Sequence, residues 1–147
     1  MIQRRLGRTL IKRGKIMYHG GVLNGEINRI LGNLRHTDRI CIADCGLPLP
    51  EGVEVVDLCV RLGQPSFLDV LKEITEHFDA EKIVLADEIE EQNPTLYSAL
   101  QKQFADVSAE LVPHEEFKRL TGSCAAVIRT GENHPYANII LQSSCIF

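Results

Sequence analysis

The chain alternates between two hydrophobic periods, and this alternation restricts its fold more than any other feature. From Asn24 to Leu34, apolar Ile27, Ile30, Leu31 and Leu34 recur at i, i+3, i+4 and i+7 behind an Asn able to cap the first turn, the spacing of an amphipathic helix. Arg39 to Asp44 (RICIAD) is instead a short apolar run bounded by charges, and the CGLPLP after it has one Gly and two Pro, which exclude regular structure. Strand patterns recur at 54–59, 82–86, 109–112, 125–129 and 137–142. Helical patterns separate them: 67–78, with Phe67, Leu71, Ile74 and Phe78 on one face; 94–104, behind the Asn93-Pro94 cap; and 114–120. Helix and strand thus alternate until a closing pair of strands. Parallel neighbours need a connection long enough for a helix, so the pattern predicts an α/β fold with a mostly parallel sheet covered by helices on both faces. The 147 residues hold no internal repeat and suffice for one core.

Charge is distributed unevenly. Residues 1–16 carry Arg4, Arg5, Arg8, Lys12, Arg13 and Lys15 and no acid, so the body holds the other 10 basic groups against all 20 acidic ones and is near −10. Such a body repels phosphate backbones, which argues against nucleic-acid binding. The basic leader lacks an apolar core and a cleavage motif, and it lacks Ser, so it reads as a disordered extension or as the product of a start upstream of Met17. No apolar run approaches membrane-spanning length, and the expected location is cytoplasmic. The five Cys (41, 45, 59, 124, 145) form no CxxC pair and sit mostly in apolar runs, as buried reduced thiols do. Phosphate-binding glycine loops, GxSxG and HExxH are absent.

The candidate chemical groups cluster around turns. His36 lies in the turn before the RICIAD strand, and its imidazole is able to give or take a proton near neutral pH. Asp44 ends that strand, and in parallel sheets ligands sit beyond the carboxyl ends of strands, where CGLPLP, DEIEEQNP and TGENHPY are expected to gather. His114 begins a helix, and Lys118 lies one turn along the same face. Tyr136 and Asn138 flank Ala137 at the edge of the last strand; an extended chain points them to one side, offering uncharged donors and acceptors to a polyhydroxylated ligand. The acidic run Asp87, Glu88, Glu90 and Glu91 reads as a solvated surface. Spacing alone leaves open a metal site built from His36, Asp44 and His114.

Taken together, HGGVLN (19–24), LRHTDRICIADCGLPLP (34–50), NP (93–94), HEEFKRLT (114–121) and VIRTGENHPYANIILQ (127–142) resemble the ribose pyranase and fucose mutarotase superfamily, over essentially Met17 to Phe147. The GLPLP loop is more similar to the ribose branch. The resemblance implies an isomerase that interconverts the pyranose and furanose forms of β-D-ribose without a cofactor. It makes His36 the proton donor and gives sugar binding to Asp44, His114, the segment Tyr136, Ala137 and Asn138, and Lys118. It further implies a cytoplasmic homo-oligomer, a decamer of two stacked pentameric rings with sites near subunit boundaries. General acid-base help of about 10²–10⁴-fold suits such a ring opening. Fucose mutarotase, a non-catalytic sugar-binding partner of a transporter or kinase, and a metal-dependent hydrolase are the competing readings. This chain has Arg35 where the family has Gly and Cys45 where it has Ala; a left-handed residue 35 would cost roughly 1 kcal/mol without Gly.

Overall fold

The computed structural model describes residues 17–147, so the expectation of a disordered extension at 1–16 lies outside the described residues. The elements are α1 (Gly25–Asn33), β1 (Arg39–Ala43), β2 (Glu54–Asp57), α2 (Phe67–Thr75), β3 (Ala80–Ala86), α3 (Ile89–Gln92), α4 (Pro94–Gln103), β4 (Ser108–Val112), α5 (His114–Thr121), β5 (Ala126–Arg129) and β6 (Ile139–Ser143). Side-chain caps start three of the helices. Asn24 accepts from the Ile27 amide at 3.0 Å, Ser66 from Asp69 at 3.2 Å, and Asn93 from Leu96 at 3.4 Å with Pro94 at the first helical position. Leu34 and Phe78 lie just past their helices yet still pack on the core.

The sheet has six strands in the order β2-β5-β1-β6-β3-β4. β2 and β1 flank β5 in parallel, β4 runs parallel to β3, and only β6 opposes its neighbours β1 and β3. The two closing strands do not pair with each other. The connection 130–138 carries the chain across β1, so Cys41 lies between Val127 of β5 and Ile140 of β6.

Alternation along β1 sends Ile40 and Ile42 to one face and Cys41 and Ala43 to the other. The first face is covered by Ile27 and Ile30 of α1, Leu71 and Ile74 of α2, Ile89 of α3 and Leu100 of α4. On the second face Phe117 of α5, fully buried, packs with Leu47, Val84 and Ile140. Helices therefore cover both faces, unequally. Among the described residues no helix is long and apolar enough to cross a membrane. All five Cys are free: Cys41 and Cys124 are buried, but Cys45 and Cys59 are only half-buried and Cys145 is exposed, a partial correction to the expectation of buried thiols. Burial pushes the Cys124 thiol up to about 12 and Cys41 well above its ordinary range, which leaves both unreactive.

Candidate active site

The loops after the parallel strands meet at one end of the sheet, as expected. The Cys45 amide donates to the Glu132 carbonyl (2.9 Å), Gly131 to Pro65 (2.8 Å), and the Asn93 side chain to the Pro135 carbonyl (2.9 Å). Between them lies a pocket of about 300 Å³ bounded by Asp44, Leu47, Pro48, His114, Pro135 and Tyr136. That volume suits a small ligand, and the walls combine apolar side chains with a few polar groups.

Asp44 is held from two directions. One carboxylate oxygen accepts from the Gly46 amide at 3.0 Å, a turn that a short acidic side chain closes readily, and the other accepts from Asn138 Nδ2 at 3.0 Å. Asn138 Oδ1 in turn accepts from the Asp44 amide at 2.8 Å. Asn138 is 1% exposed, so its carboxamide serves Asp44 rather than the open pocket.

This corrects the geometry expected of the Tyr-Ala-Asn segment. β6 begins at Ile139, and Tyr136 adopts φ +55°, in a tight turn closed by the Asn138 amide on the Tyr136 carbonyl (2.9 Å). Tyr136 and Asn138 are not same-side residues of a strand. The turn swings the phenol over the pocket, where it meets the His114 ring edge-on with centroids 5.1 Å apart, and drops Asn138 beneath Asp44. Ala137, fully buried, belongs to the core and offers a ligand no side-chain contact.

His114 opens α5 behind Pro113, which supplies no side-chain cap. Glu88, just beyond β3, replaces that cap, with both carboxylate oxygens 3.0 Å from the His114 amide. Burial opposes the charge on Glu88, but hydrogen bonds from the backbone of His114 and of Glu88 itself outweigh it and hold the carboxyl below its ordinary range. Burial and the Glu88 charge push neighbouring Asp87 the other way. Reading this acidic run as mere solvated surface is therefore wrong at Glu88. The Nδ1 atom of His114 is buried without a partner, and the residue forms part of the pocket wall. Lys118 lies one turn along, but its ammonium is 2.6 Å from Glu115 and it is not among the residues bounding the pocket.

Glu132 also escapes sequence inspection. It is a loop carboxylate that accepts from the Phe67 amide at the start of α2 (3.2 Å) and from His134 Nδ1 (2.8 Å). Burial works against its charge, and the hydrogen bonds from His134 and the Phe67 and His134 amides win, holding it below its ordinary range.

His36 stands elsewhere. It precedes β1 while Asp44 follows it, so the strand, roughly 17 Å at ~3.3 Å per residue, separates them within one chain. One chain alone does not bring the two together, so within it Asp44 is placed to orient a sugar and not His36. The imidazole is half exposed, with Nε2 2.9 Å from Glu81 Oε2. The residues that follow His36, namely Thr37, Asp38 and Arg39, border a second cavity of about 390 Å³ with Ser123, Cys124 and Ala125. The left-handed residue of this turn is Thr37 (φ 72°), not Arg35, so the strain expected at Arg35 does not arise. The same separation removes a metal site shared by His36, Asp44 and His114 of one chain. Among the described residues the one cluster with metal-like spacing is Glu73, Glu76 and His77, at the outer end of α2.

Comparison with known proteins agrees with this architecture. The chain is 49% identical over 131 residues to the D-ribose pyranase of Staphylococcus haemolyticus, covering 89% of this chain and all of that protein. The structure of Bacillus subtilis RbsD complexed with D-ribose superposes with a TM-score of 0.86 at 44% identity, over 89% of this chain and all of the other. The fucose mutarotase of Streptococcus pneumoniae, solved with L-fucose, shares the fold at a TM-score of 0.70 but only 18% identity, over 84% of this chain and 94% of that one. The sequence profile described as "RbsD / FucU transport protein family" spans residues 17–146, and the chain belongs to that family.

Proposed function

We propose that the chain is a cytoplasmic D-ribose pyranase that interconverts β-D-ribopyranose and β-D-ribofuranose without a cofactor, in sites completed between subunits of a homo-oligomer. The observation that carries this reading is the immobilised Asp44 carboxylate at the mouth of a small pocket, flanked by His114 and Tyr136. Those groups match the needs of a sugar. A fixed carboxylate accepts from hydroxyls, an imidazole and a phenol offer further hydrogen bonds, and Leu47 and Pro48 add apolar wall. The pentose relative that binds D-ribose has the same fold at 44% identity, whereas likeness to the fucose enzyme extends to the fold alone.

Ring opening breaks the bond from the anomeric carbon to the ring oxygen. The electron pair of the anomeric O–H bond forms the new carbonyl, that proton leaves to solvent, and the ring oxygen receives a proton from the imidazolium form of His36, which takes one back from solvent. Reclosure through a different hydroxyl reverses each transfer, so nothing is consumed. Aqueous ribose already does this slowly, and general acid-base help of about 10²–10⁴-fold suffices. Because His36 and Asp44 lie at opposite ends of β1, the donor that serves one chain's pocket comes from a neighbouring subunit. A closed assembly, a decamer of two stacked pentameric rings, repeats that contact at every site.

The test is magnetisation-transfer NMR on equilibrated D-ribose, with L-fucose alongside. Accelerated pyranose-furanose exchange of ribose is expected. Ribose binding without acceleration, or acceleration confined to fucose, overturns the reading.

A further inference from the structure

Side chains from three adjacent strands form an unbroken hydrogen-bonded chain that ends on His36. Arg39 of β1 donates from Nε to Gln142 Oε1 of β6 at 2.9 Å, Gln142 donates from Nε2 to Glu81 Oε1 of β3 at 2.7 Å, and Glu81 Oε2 lies 2.9 Å from His36 Nε2. The Gln142 amide satisfies both contacts in one orientation only, oxygen towards the guanidinium and nitrogen towards the carboxylate. Hydrogen bonds from Gln142 first and His36 second hold the Glu81 carboxyl below its ordinary range, so it is ionised at neutral pH. An ionised carboxylate only accepts, which obliges His36 Nε2 to be the donor. The ring is half exposed and its other nitrogen has no hydrogen-bond partner among the described residues.

From this geometry we infer that Glu81 is a positioning residue that fixes His36 with its proton on Nε2, so that Nδ1 is the atom that exchanges a proton with the sugar, and that Gln142 and Arg39 hold Glu81 in place. The inference rests on His36 being the proton donor proposed above. It deepens that reading by naming the reacting nitrogen and the residues that select it. An imidazole's two nitrogens are set apart by whatever the non-reacting one bonds to, and a carboxylate in that place both orients the ring and stabilises its protonated form during transfer.

Ring-nitrogen NMR of His36 in the full-length protein, at a pH where the ring is neutral, is expected to show a protonated Nε2 and a bare Nδ1. Glu81→Ala is expected to mix the two forms and to slow ribose exchange by about 10- to 100-fold, the range found when the partner that orients a metal-bound imidazole is removed. Ribose affinity is expected to stay constant, because Asp44, His114 and Tyr136 are untouched. The double variant Glu81→Ala/His36→Ala is expected to be no slower than His36→Ala. Gln142→Met, which keeps the length and removes the amide, covers the case in which Glu81→Ala misfolds, with a several-fold loss expected. A wild-type ring protonated on Nδ1, a Glu81→Ala variant exchanging at the full rate, or a double variant slower than His36→Ala overturns the inference. If wild-type protein fails to accelerate exchange, the ribose reading falls, while the ring spectrum still decides the role of Glu81.

Discussion

The two ends of β1 differ in how complete they are. At the carboxyl end, Asp44 and Asn138 are locked to each other, Glu88 and Glu132 are locked to backbone amides, and a pocket lies between the loops. At the amino end, His36 is paired with Glu81 and half exposed, apart from the pocket residues Asp44, His114 and Tyr136 of its own chain. Under the proposed function, one end is a receptor without an acid and the other an acid without a receptor. In the proposed reaction the two surfaces act together, and a second copy is the simplest means of joining them.

The sharpest test of this contrast is removal of either half. His36→Ala is expected to abolish accelerated exchange, a fall of about 10²–10⁴-fold, while binding ribose normally in calorimetry. Asp44→Asn is expected to lose binding as well as exchange. Mixing the two inactive variants and letting subunits redistribute is expected to restore about a quarter of native activity, since that share of boundaries pairs an intact His36 with an intact Asp44. No recovery would place both residues in one chain's site and break the comparison.

Smaller effects sharpen it. Glu88→Gln leaves one acceptor for the His114 amide in place of two and is expected to lower stability by about 1 kcal/mol in denaturant unfolding, in the range for a lost helix cap. Glu132 and Glu88 both have folded-state values below the ordinary 4.5, so their stabilisation is present above that pH and is lost as pH falls through the depressed values. Thermal midpoints measured through the acid range are expected to drop more steeply for wild type than for Glu132→Gln. At the amino end, Thr37→Gly is expected to stabilise by up to about 1 kcal/mol, because it relieves a left-handed residue, whereas Arg35→Gly yields no such gain.

Much of this was legible in the chain. The order of helices and strands, the caps at Asn24 and Asn93, and the gathering of loops beyond Asp44 follow from local periodicity and turn chemistry. The opposition of His36 and Asp44 was also available, since two residues flanking one strand must sit a strand's length apart. What sequence could not disclose were partnerships across long separations. Glu81, Glu88 and Glu132 look like ordinary surface acids until strand order sets them against His36, His114 and Phe67. The last strand misled for a local reason: Tyr-Ala-Asn prolongs an apolar pattern, and nothing in its composition marks the left-handed Tyr136 that makes it a turn.

β6 is the lone antiparallel strand, and its two ends support opposite halves of the chemistry: just before it Asn138 grips Asp44, and near its end Gln142 grips Glu81. It works as a gauge bar, setting the interval between the Asp44 pocket and the His36 corner of one subunit. Inserting or deleting one residue there would invert every side chain beyond it, so length changes within this segment should be among the least tolerated in the molecule.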